Sequence, residues 1–367
     1  MTRPVPVHYL RANEREYTPA ACIFLDTETW TDDSGPEQVE RLRLWVATYT
    51  DRRATKGRQL RNVTAWGATA WQLAEWVDQV TKGRGSVWLY AHNLAFDLTT
   101  TRLPLELGHR GWRISDASIG GQAPWLRMAK SDRALAITDS WGWLPVALDQ
   151  VAVAVGRDKP PLPAQDDDQT AWLARCGADV DILGRAVLGL MDWWDDQRLG
   201  NWSISGAATG WNAYRHTPTT SKVVIDPDPA KVARDRLYVH GGRRGVWRIG
   251  EHRAGPFLEL DLTAAYPTTA AECPLPRGRA WTFTDLPLDH PNLSSDRWGV
   301  TATCRIRSDL ARWPVRANDA TWYPVGDFWA DLAGPDIREA IELGALVAIG
   351  QGEVHQLGRN MRPWARW

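Results

Sequence analysis

The first half of the sequence predicts an α/β fold, because strand-like and helix-like segments are interleaved along it. Several apolar runs are typical of buried strands, and they span residues 21–25, 43–50, 86–93, 124–130 and 134–140. Other segments carry apolar residues at helical spacing, and they span residues 69–83, 146–156 and 170–194. This order predicts a sheet flanked by helices, in a domain that covers residues 1–200.

The sequence changes in character after about residue 200, which predicts a second domain. A turn rich in Gly and Arg, "YVHGGRRGVW", lies between short strands, and "FLELDLTAAYP" has the pattern of a strand that ends at Asp261. Residues 335–345 predict a short helix ahead of a strand at 346–350. We therefore expect a linker over residues 201–250 and an α+β domain over residues 251–367.

Composition excludes several classes of protein. The formal net charge of the 367 residues is −1, so no global basic field indicates nucleic acid, although a local patch would suffice for binding. Four scattered cysteines predict neither a disulfide framework nor a zinc site. No apolar run has the length of a signal peptide or a membrane span. We expect a cytoplasmic protein with no membrane partner.

Acidic residues in three separate segments predict a metal centre. Asp26 and Glu28 in "FLDTETW" occupy alternate positions of a strand, so their side chains point to the same side. Asp97 follows a second strand in "LYAHNLAFDL", and Asp179 lies in the helix "CGADVDIL", where Asp181 is a rival. Acids that converge repel one another unless cations intervene, and their oxygens suit Mg²⁺ or Mn²⁺. The alternative is a set of solvated strand ends.

The motifs "DTE", "HNLAFD" and "CGADVDIL", in this order within residues 20–190, resemble those of the DEDD 3′–5′ exonucleases, which have a ribonuclease H-like fold. The intervening "ITDSWGWLPVALDQVAVAVG" is similar to the same segment in protein-primed family B DNA polymerases of phages and linear plasmids. The resemblance implies a ribonuclease H-like exonuclease domain followed by an incomplete α+β polymerase palm. It also implies two Mg²⁺ or Mn²⁺ ions per exonuclease site. The cytoplasm of a bacterial host or a phage-infected cell is the location that it implies.

The resemblance assigns roles to individual residues of the first domain. It implies that Asp26, Glu28, Asp97 and Asp179 are catalytic metal ligands and that Lys159 is catalytic near the scissile phosphate. The single-stranded 3′ end would be held by Asn93, Phe96 and Ser140. Without the resemblance, Lys159 would be interpreted as a solvated loop cation and Phe96 as a core residue.

One position departs from the family pattern. The family carries a tyrosine four residues before the last acid, where it orients the attacking water, and this sequence has Arg175 there. An arginine can pair with Asp179 on the same helix face or clamp a phosphate, but it cannot act as the tyrosine does. Slower hydrolysis, or a different water-positioning group, is the expectation.

The second half carries two further resemblances. "LELDLTAAYP" is similar to motif A of family B polymerases, which implies Asp261 as a metal ligand and Tyr266 beneath the incoming sugar. "YVHGGRR" is similar to the template-contacting "Y-x-G-G" linker, with one extra residue after the tyrosine. This resemblance implies DNA contacts from Tyr238 (or Val239 in its place), Gly241, Gly242 and Arg243. The alternative for the second segment is a tight hairpin turn.

Two motifs that a complete family B polymerase needs, the fingers "K-x-x-x-N-S-x-Y-G" and the palm "D-T-D", do not occur in the 367 residues. We therefore expect the front part of a DNA-directed DNA polymerase, with exonuclease action on single-stranded DNA 3′ ends and no primer extension by this chain alone. The implied partners are primer-template DNA and either a terminal protein or a second polypeptide supplying fingers and thumb. The alternatives are a free-standing DEDD exonuclease acting on RNA or DNA, and a catalytically inactive DNA-binding subunit of a split polymerase.

Overall fold

A computed structural model describes most of the chain. The described residues are 8–32, 39–52, 61–121, 123–217, 223–226, 228–240, 268–269, 272–317 and 320–358. The chain divides into two compact units, one formed by residues 9–223 and the other by residues 1–8 and 224–367.

The first unit is built on a seven-stranded mixed sheet with the strand order β4-β3-β2-β5-β8-β7-β6. The three central strands β2, β5 and β8 are parallel, and the other pairs are antiparallel. After the short β1 (His8–Tyr9), the strands are β2 (Ala21–Asp32), β3 (Val39–Asp51), β4 (Arg61–Gly67), β5 (Ser86–Ala91), β6 (Arg113–Ser118), β7 (Trp125–Lys130) and β8 (Arg133–Asp139). The α/β prediction is confirmed for this unit.

Helices cover both faces of the sheet. Successive side chains of a strand point to opposite faces, so a single strand contributes to two cores. Cys22 and Phe24 of β2 pack in one core with α5, and Ile23 and Leu25 pack in the other core with α1 and α3. The helices are α1 (Ala70–Val80), α2 (Leu94–Thr101), α3 (Leu103–His109), α4 (Leu148–Ala154), α5 (Gln169–Asp196) and α6 (Gly206–His216), with a 3₁₀ turn at Ser140–Gly142.

Strand β2 is longer than its apolar run predicts. The sequence suggested a strand over residues 21–25, and the structure extends it to Asp32 because β3 pairs with it over its whole length. Its pairing with β5 is much shorter and joins Cys22–Phe24 to Trp88–Tyr90. Beyond Phe24, therefore, β2 has a strand neighbour on one edge only among the described residues, and its other edge is open where Asp26 and Glu28 lie.

The polar turn after β5 is the start of a helix that the sequence analysis did not predict. Asn93 adopts a left-handed conformation (φ 73°) and precedes α2. The Asp139 carboxylate, at the end of β8, accepts hydrogen bonds from the backbone N–H groups of Asn93 (3.3 Å) and Leu94 (2.8 Å). An acidic side chain at a helix N-terminus satisfies N–H groups that lack a partner within the helix. Asp139 thus fixes the position from which α2 presents Asp97.

The second unit contains a four-stranded antiparallel sheet with the order β10-β15-β11-β14. Its strands are β9 (Val224–Ile225), β10 (Pro276–Phe283), β11 (Trp298–Ser308), β12 (Val315–Ala317), β13 (Ala320–Trp322), β14 (Gly326–Ala333) and β15 (Leu346–Leu357). Its helices are α7 (Pro229–Asp235) and α8 (Gly334–Glu342), with a 3₁₀ turn at Arg236–Tyr238. Ile337 and Ala340 of α8 pack in a core with Ile306 and Leu332. The predicted helix at 335–345 and the strand that follows it are confirmed.

Within the described ranges, no helix is both long enough and apolar enough to cross a membrane.

Candidate functional site

Three carboxylates meet beside the open edge of β2. One oxygen from each of Asp26, Glu28 and Asp179 lies within 4.8 Å of the other two. Helix α5 packs across β2 and β3 and brings Asp179 to the face on which Asp26 and Glu28 project. The Cys176 thiol, one turn earlier on α5, donates to the backbone carbonyl of Asp26 at 3.3 Å and joins the helix to the strand at this point. The structure thus brings together three of the four predicted acids.

Asp97 approaches the cluster from the other face of the sheet. Thr27 points away from Asp26 and Glu28, and its hydroxyl donates to the Asp97 carboxylate at 2.7 Å. Asp97 is buried, and its charge is the strongest of the neighbouring charges that raise the pKa of Asp26. Asp97 is therefore an electrostatic neighbour of the cluster, although it lies outside the group of three oxygens.

Burial raises the pKa of every acid in this region. It raises the pKa of Glu28 to about 7 and that of Asp97 to about 8. The pKa of Asp26 is raised well above its usual range by burial and then by the charges of Asp97, Asp179 and Glu28. The pKa of Asp179 is also raised by burial, although Lys159 and Arg175 oppose the shift. In the metal-free protein these acids therefore hold their protons more tightly than ordinary carboxyl groups do.

Two cations contact the same oxygen of Asp179. The Lys159 ammonium lies 3.2 Å from Oδ2, and Nη2 of Arg175 lies 3.4 Å from it. Oδ1 of Asp179 is buried and makes no hydrogen bond to any residue that the structure describes. A buried carboxylate oxygen without a donor is costly unless a cation lies against it. The carboxylates of Asp179, Asp26 and Glu28 together form an all-oxygen donor set of the kind that Mg²⁺ and Mn²⁺ prefer.

Asp179 and Asp181 differ sharply in their surroundings. The Asp181 carboxylate is about half exposed and forms surface ion pairs with Arg185 (2.8 Å) and Arg157 (3.0 Å). Asp179 is 4% exposed and faces the cluster. The geometry therefore favours Asp179 as the acid contributed by α5.

The three residues predicted to hold a DNA end have different settings. Asn93 and Phe96 are exposed on the surface around α2, with 38% of Phe96 accessible beside the buried Asp97. Ser140 is fully buried, and its hydroxyl pairs with Nδ1 of His92 at 2.8 Å. Phe96 is thus available for stacking, whereas the Ser140 hydroxyl is engaged inside the protein.

Of the residues singled out in the second half, Tyr238 and Val239 are described. Tyr238 is half-buried, and its side chain hydrogen-bonds Thr303. Partial burial, and then the charge of Asp331, raise the pKa of Tyr238. Val239 is exposed. Outside the described residues lie Gly241, Gly242, Arg243, Asp261 and Tyr266.

Sequence reasoning missed two residues that organise the site. Asp139 also accepts a hydrogen bond from the backbone N–H of Trp141 at 2.8 Å, so it orders the turns after both β5 and β8. His92 bridges Ser140 and the carbonyl of Val146 (3.0 Å). The sequence does contain a signal for Asp139. In "ALAITDS" an acid follows an apolar run, as Asp26 follows the apolar run of residues 21–25.

The fold is similar to that of a DNA polymerase. The solved structures that match are of Phi29 DNA polymerase, and they include a ternary complex with primer-template DNA and incoming nucleotide (TM-score 0.58, 15% identity, 95% of this chain and 63% of that chain). A binary complex with primer-template DNA matches with a TM-score of 0.59 and 15% identity, over 93% of this chain and 62% of that chain. A complex with single-stranded DNA matches with a TM-score of 0.58 and 14% identity, over 94% and 62%.

This chain therefore spans slightly less than two thirds of the length of the Phi29 polymerase chains that it matches. No protein-family model matches the sequence, and no curated protein is similar to it.

Proposed function

We propose that this chain is the front part of a family B DNA-directed DNA polymerase and that its first unit is a ribonuclease H-like, metal-dependent 3′–5′ exonuclease. The observation that carries the proposal is the meeting of Asp26, Glu28 and Asp179, with Asp97 bonded to the intervening Thr27. The similarity in fold to Phi29 DNA polymerase supports it at the level of architecture. Each acid lies in one of the motifs that resemble the DEDD exonucleases.

The residues of the site have separate tasks in this proposal. Asp26, Glu28 and Asp179 hold Mg²⁺ or Mn²⁺, while Asp97 adds negative charge from behind β2. Divalent cations at such a site activate a water and stabilise the leaving oxygen of a phosphodiester. Lys159, held against Asp179, compensates negative charge on the phosphate, and this positioning is most of what phosphoryl transfer requires. The resemblance implies two ions, and the position of Arg175 bears on that number.

The proposed substrate is the 3′ end of single-stranded DNA. Phe96 offers an aromatic surface next to the cluster, and Asn93 offers an amide at the start of the same helix. The second unit would be a partial palm that binds primer-template DNA through Tyr238 and the glycine- and arginine-rich turn. A terminal protein or a second polypeptide with fingers and thumb would complete the polymerase.

The direct test is degradation of a 5′-labelled single-stranded DNA oligonucleotide by the purified chain. We expect a ladder of products shortened from the 3′ end in Mg²⁺ or Mn²⁺ and none in EDTA. A phosphorothioate at the last linkage should slow the first cut. An intact oligonucleotide in both metals would contradict the proposal. RNA of the same sequence, degraded faster than DNA, would instead indicate a free-standing RNA exonuclease.

Replacing Phe96 by alanine should weaken binding of single-stranded DNA. Stacking of one base on an aromatic ring contributes about 1–3 kcal/mol, which corresponds to roughly 5- to 150-fold in Kd. The measurement is fluorescence anisotropy of a labelled oligonucleotide in an Asp26→Asn background, where the DNA should stay intact.

The matched control for this loss is Trp193→Ala. Trp193 is also exposed, and it lies on α5 about 21 Å along the helix from Asp179. Its removal should leave the Kd unchanged. Equal weakening by both variants would show that Phe96 has no special place in DNA binding.

A catalytically inactive DNA-binding subunit is the second candidate, and Arg175 favours it. Its guanidinium lies among the acids, 3.4 Å from Asp179 and 3.9 Å from Glu28, where the family has a tyrosine. Retention of single-strand binding without cleavage in either metal would support this candidate.

A further inference from the structure

Arg175 is fixed within the acidic cluster at three points. Its Nη1 donates to the carbonyl of Pro160 at 2.5 Å, and its Nη2 and Nε face Asp179 and Glu28 at 3.4 and 3.9 Å. The side chain is only 13% exposed, and no described residue forms a hydrogen bond with its Nε. Arg175 is therefore a built-in cation of the site.

The two oxygens of Asp179 face different surroundings. Oδ2 lies against Lys159 and Arg175, whereas Oδ1 is buried and has no hydrogen-bond partner among the described residues, in a side chain that belongs to a residue only 4% exposed. Within the part of the chain that the structure describes, Oδ2 makes both ion pairs of this carboxylate.

The formal charges of the site leave room for one divalent ion. Asp26, Glu28, Asp97 and Asp179 carry four negative charges when ionised, and Lys159 and Arg175 carry two positive charges. The difference is the charge of one divalent ion.

We propose that Arg175 takes the place of one of the two cations, so that this site holds a single divalent ion among the carboxylates of Asp26, Glu28 and Asp179. The inference rests on the proposed function, since it concerns the same metal centre. A second ion on the side of Oδ2 would lie against the guanidinium, where like charges repel at short range. Arg175 is then a positioning residue that sets the number of ions and holds Asp179 in place.

The test counts Mn²⁺ ions bound by the full chain, with the EPR signal of free Mn²⁺ as the readout. An ion is counted as bound at the site when the wild type binds it and the Asp26→Asn variant does not. We expect one such ion in the wild type and in Arg175→Lys, which keeps the charge, and two in Arg175→Gln and Arg175→Tyr, which remove it. Spin coupling between two neighbouring Mn²⁺ ions should appear in the neutral variants alone.

Arg185→Gln is the matched control, because Arg185 lies on the same helix and pairs with the exposed Asp181. It should leave the count at one. Two ions in the wild type would overturn the inference, and so would a single ion in a folded neutral variant. Either result would still be compatible with a metal-dependent nuclease. Absence of any ion sensitive to Asp26→Asn would overturn both the inference and the proposed metal centre. If the neutral variants fail to fold, a count of two in the wild type would still overturn the inference.

Discussion

Asp26→Asn should abolish the metal-dependent shortening of single-stranded DNA. The change removes the charge of the acid that interacts with all three other acids of the site, and it preserves the shape of the side chain. Loss of a residue that merely supports a metal ligand costs about 10–100-fold, so loss of a ligand itself should exceed about 100-fold. The measurement is the initial rate of product formation in Mg²⁺ under single-turnover conditions.

Asp181→Asn is the appropriate control for this variant. It neutralises an acid two residues from Asp179 on α5, but the affected carboxylate is exposed and pairs with Arg157 and Arg185. Its rate should stay within about twofold of the wild type, because surface ion pairs contribute little. Equal loss in the two variants, or full activity in Asp26→Asn prepared in the same way, would rule out the proposed centre.

The metal-free protein should become less stable as the pH rises from about 4.5 to about 8. The folded-state pKa of Glu28 is about 7 against 4.5 for an ordinary glutamate, and that of Asp97 is about 8 against 3.8 for an ordinary aspartate. The folded state therefore binds these protons more tightly than the unfolded state, so each rise in pH through this window lowers the free energy of unfolding. The total change is on the order of several kcal/mol.

Urea denaturation in EDTA at pH 5, 6, 7 and 8 measures this dependence. Asp97→Asn should reduce the slope to the part contributed by the other buried acids such as Glu28, because asparagine still accepts a hydrogen bond from Thr27 and carries no charge. Asp181→Asn should retain the full slope. Adding Mg²⁺ should stabilise the protein most at the alkaline end, where the acids are ionised. A free energy of unfolding that stays constant or rises between pH 5 and 8 would contradict the raised pKa values.

The sequence predicted the acids of the site better than it predicted their geometry. The alternation of Asp26 and Glu28 and the helical setting of Asp179 depend on local periodicity, which a sequence displays directly. The approach of Asp97 from behind β2 could not be predicted, because it depends on where β5 stops pairing with β2 and on the hydrogen bond from Thr27. Both are tertiary features without a local signal.

Tertiary contacts without a local signal also explain why helix α2 and the setting of Ser140 were not predicted. Helix α2 is only eight residues long, and Asp139, 42 residues beyond Asp97 in the chain, caps its N-terminus. The family resemblance assigns Ser140 to the DNA end, but burial depends on the surrounding chain, and the structure pairs the Ser140 hydroxyl with His92. The predicted polymerase motif with Asp261 and Tyr266 lies outside the described residues and stays a prediction.

The supply of acids from both faces of the sheet has a consequence for partly unfolded states of this unit. Asp179 depends on the core beneath α5, and Asp97 depends on the core beneath α1 and α3. Loosening of either layer would scatter the carboxylates, so divalent ions should be released before secondary structure is lost. Affinity for Mn²⁺ therefore reports whether both cores are packed. Peptides cut from this unit should not bind Mn²⁺ at this site.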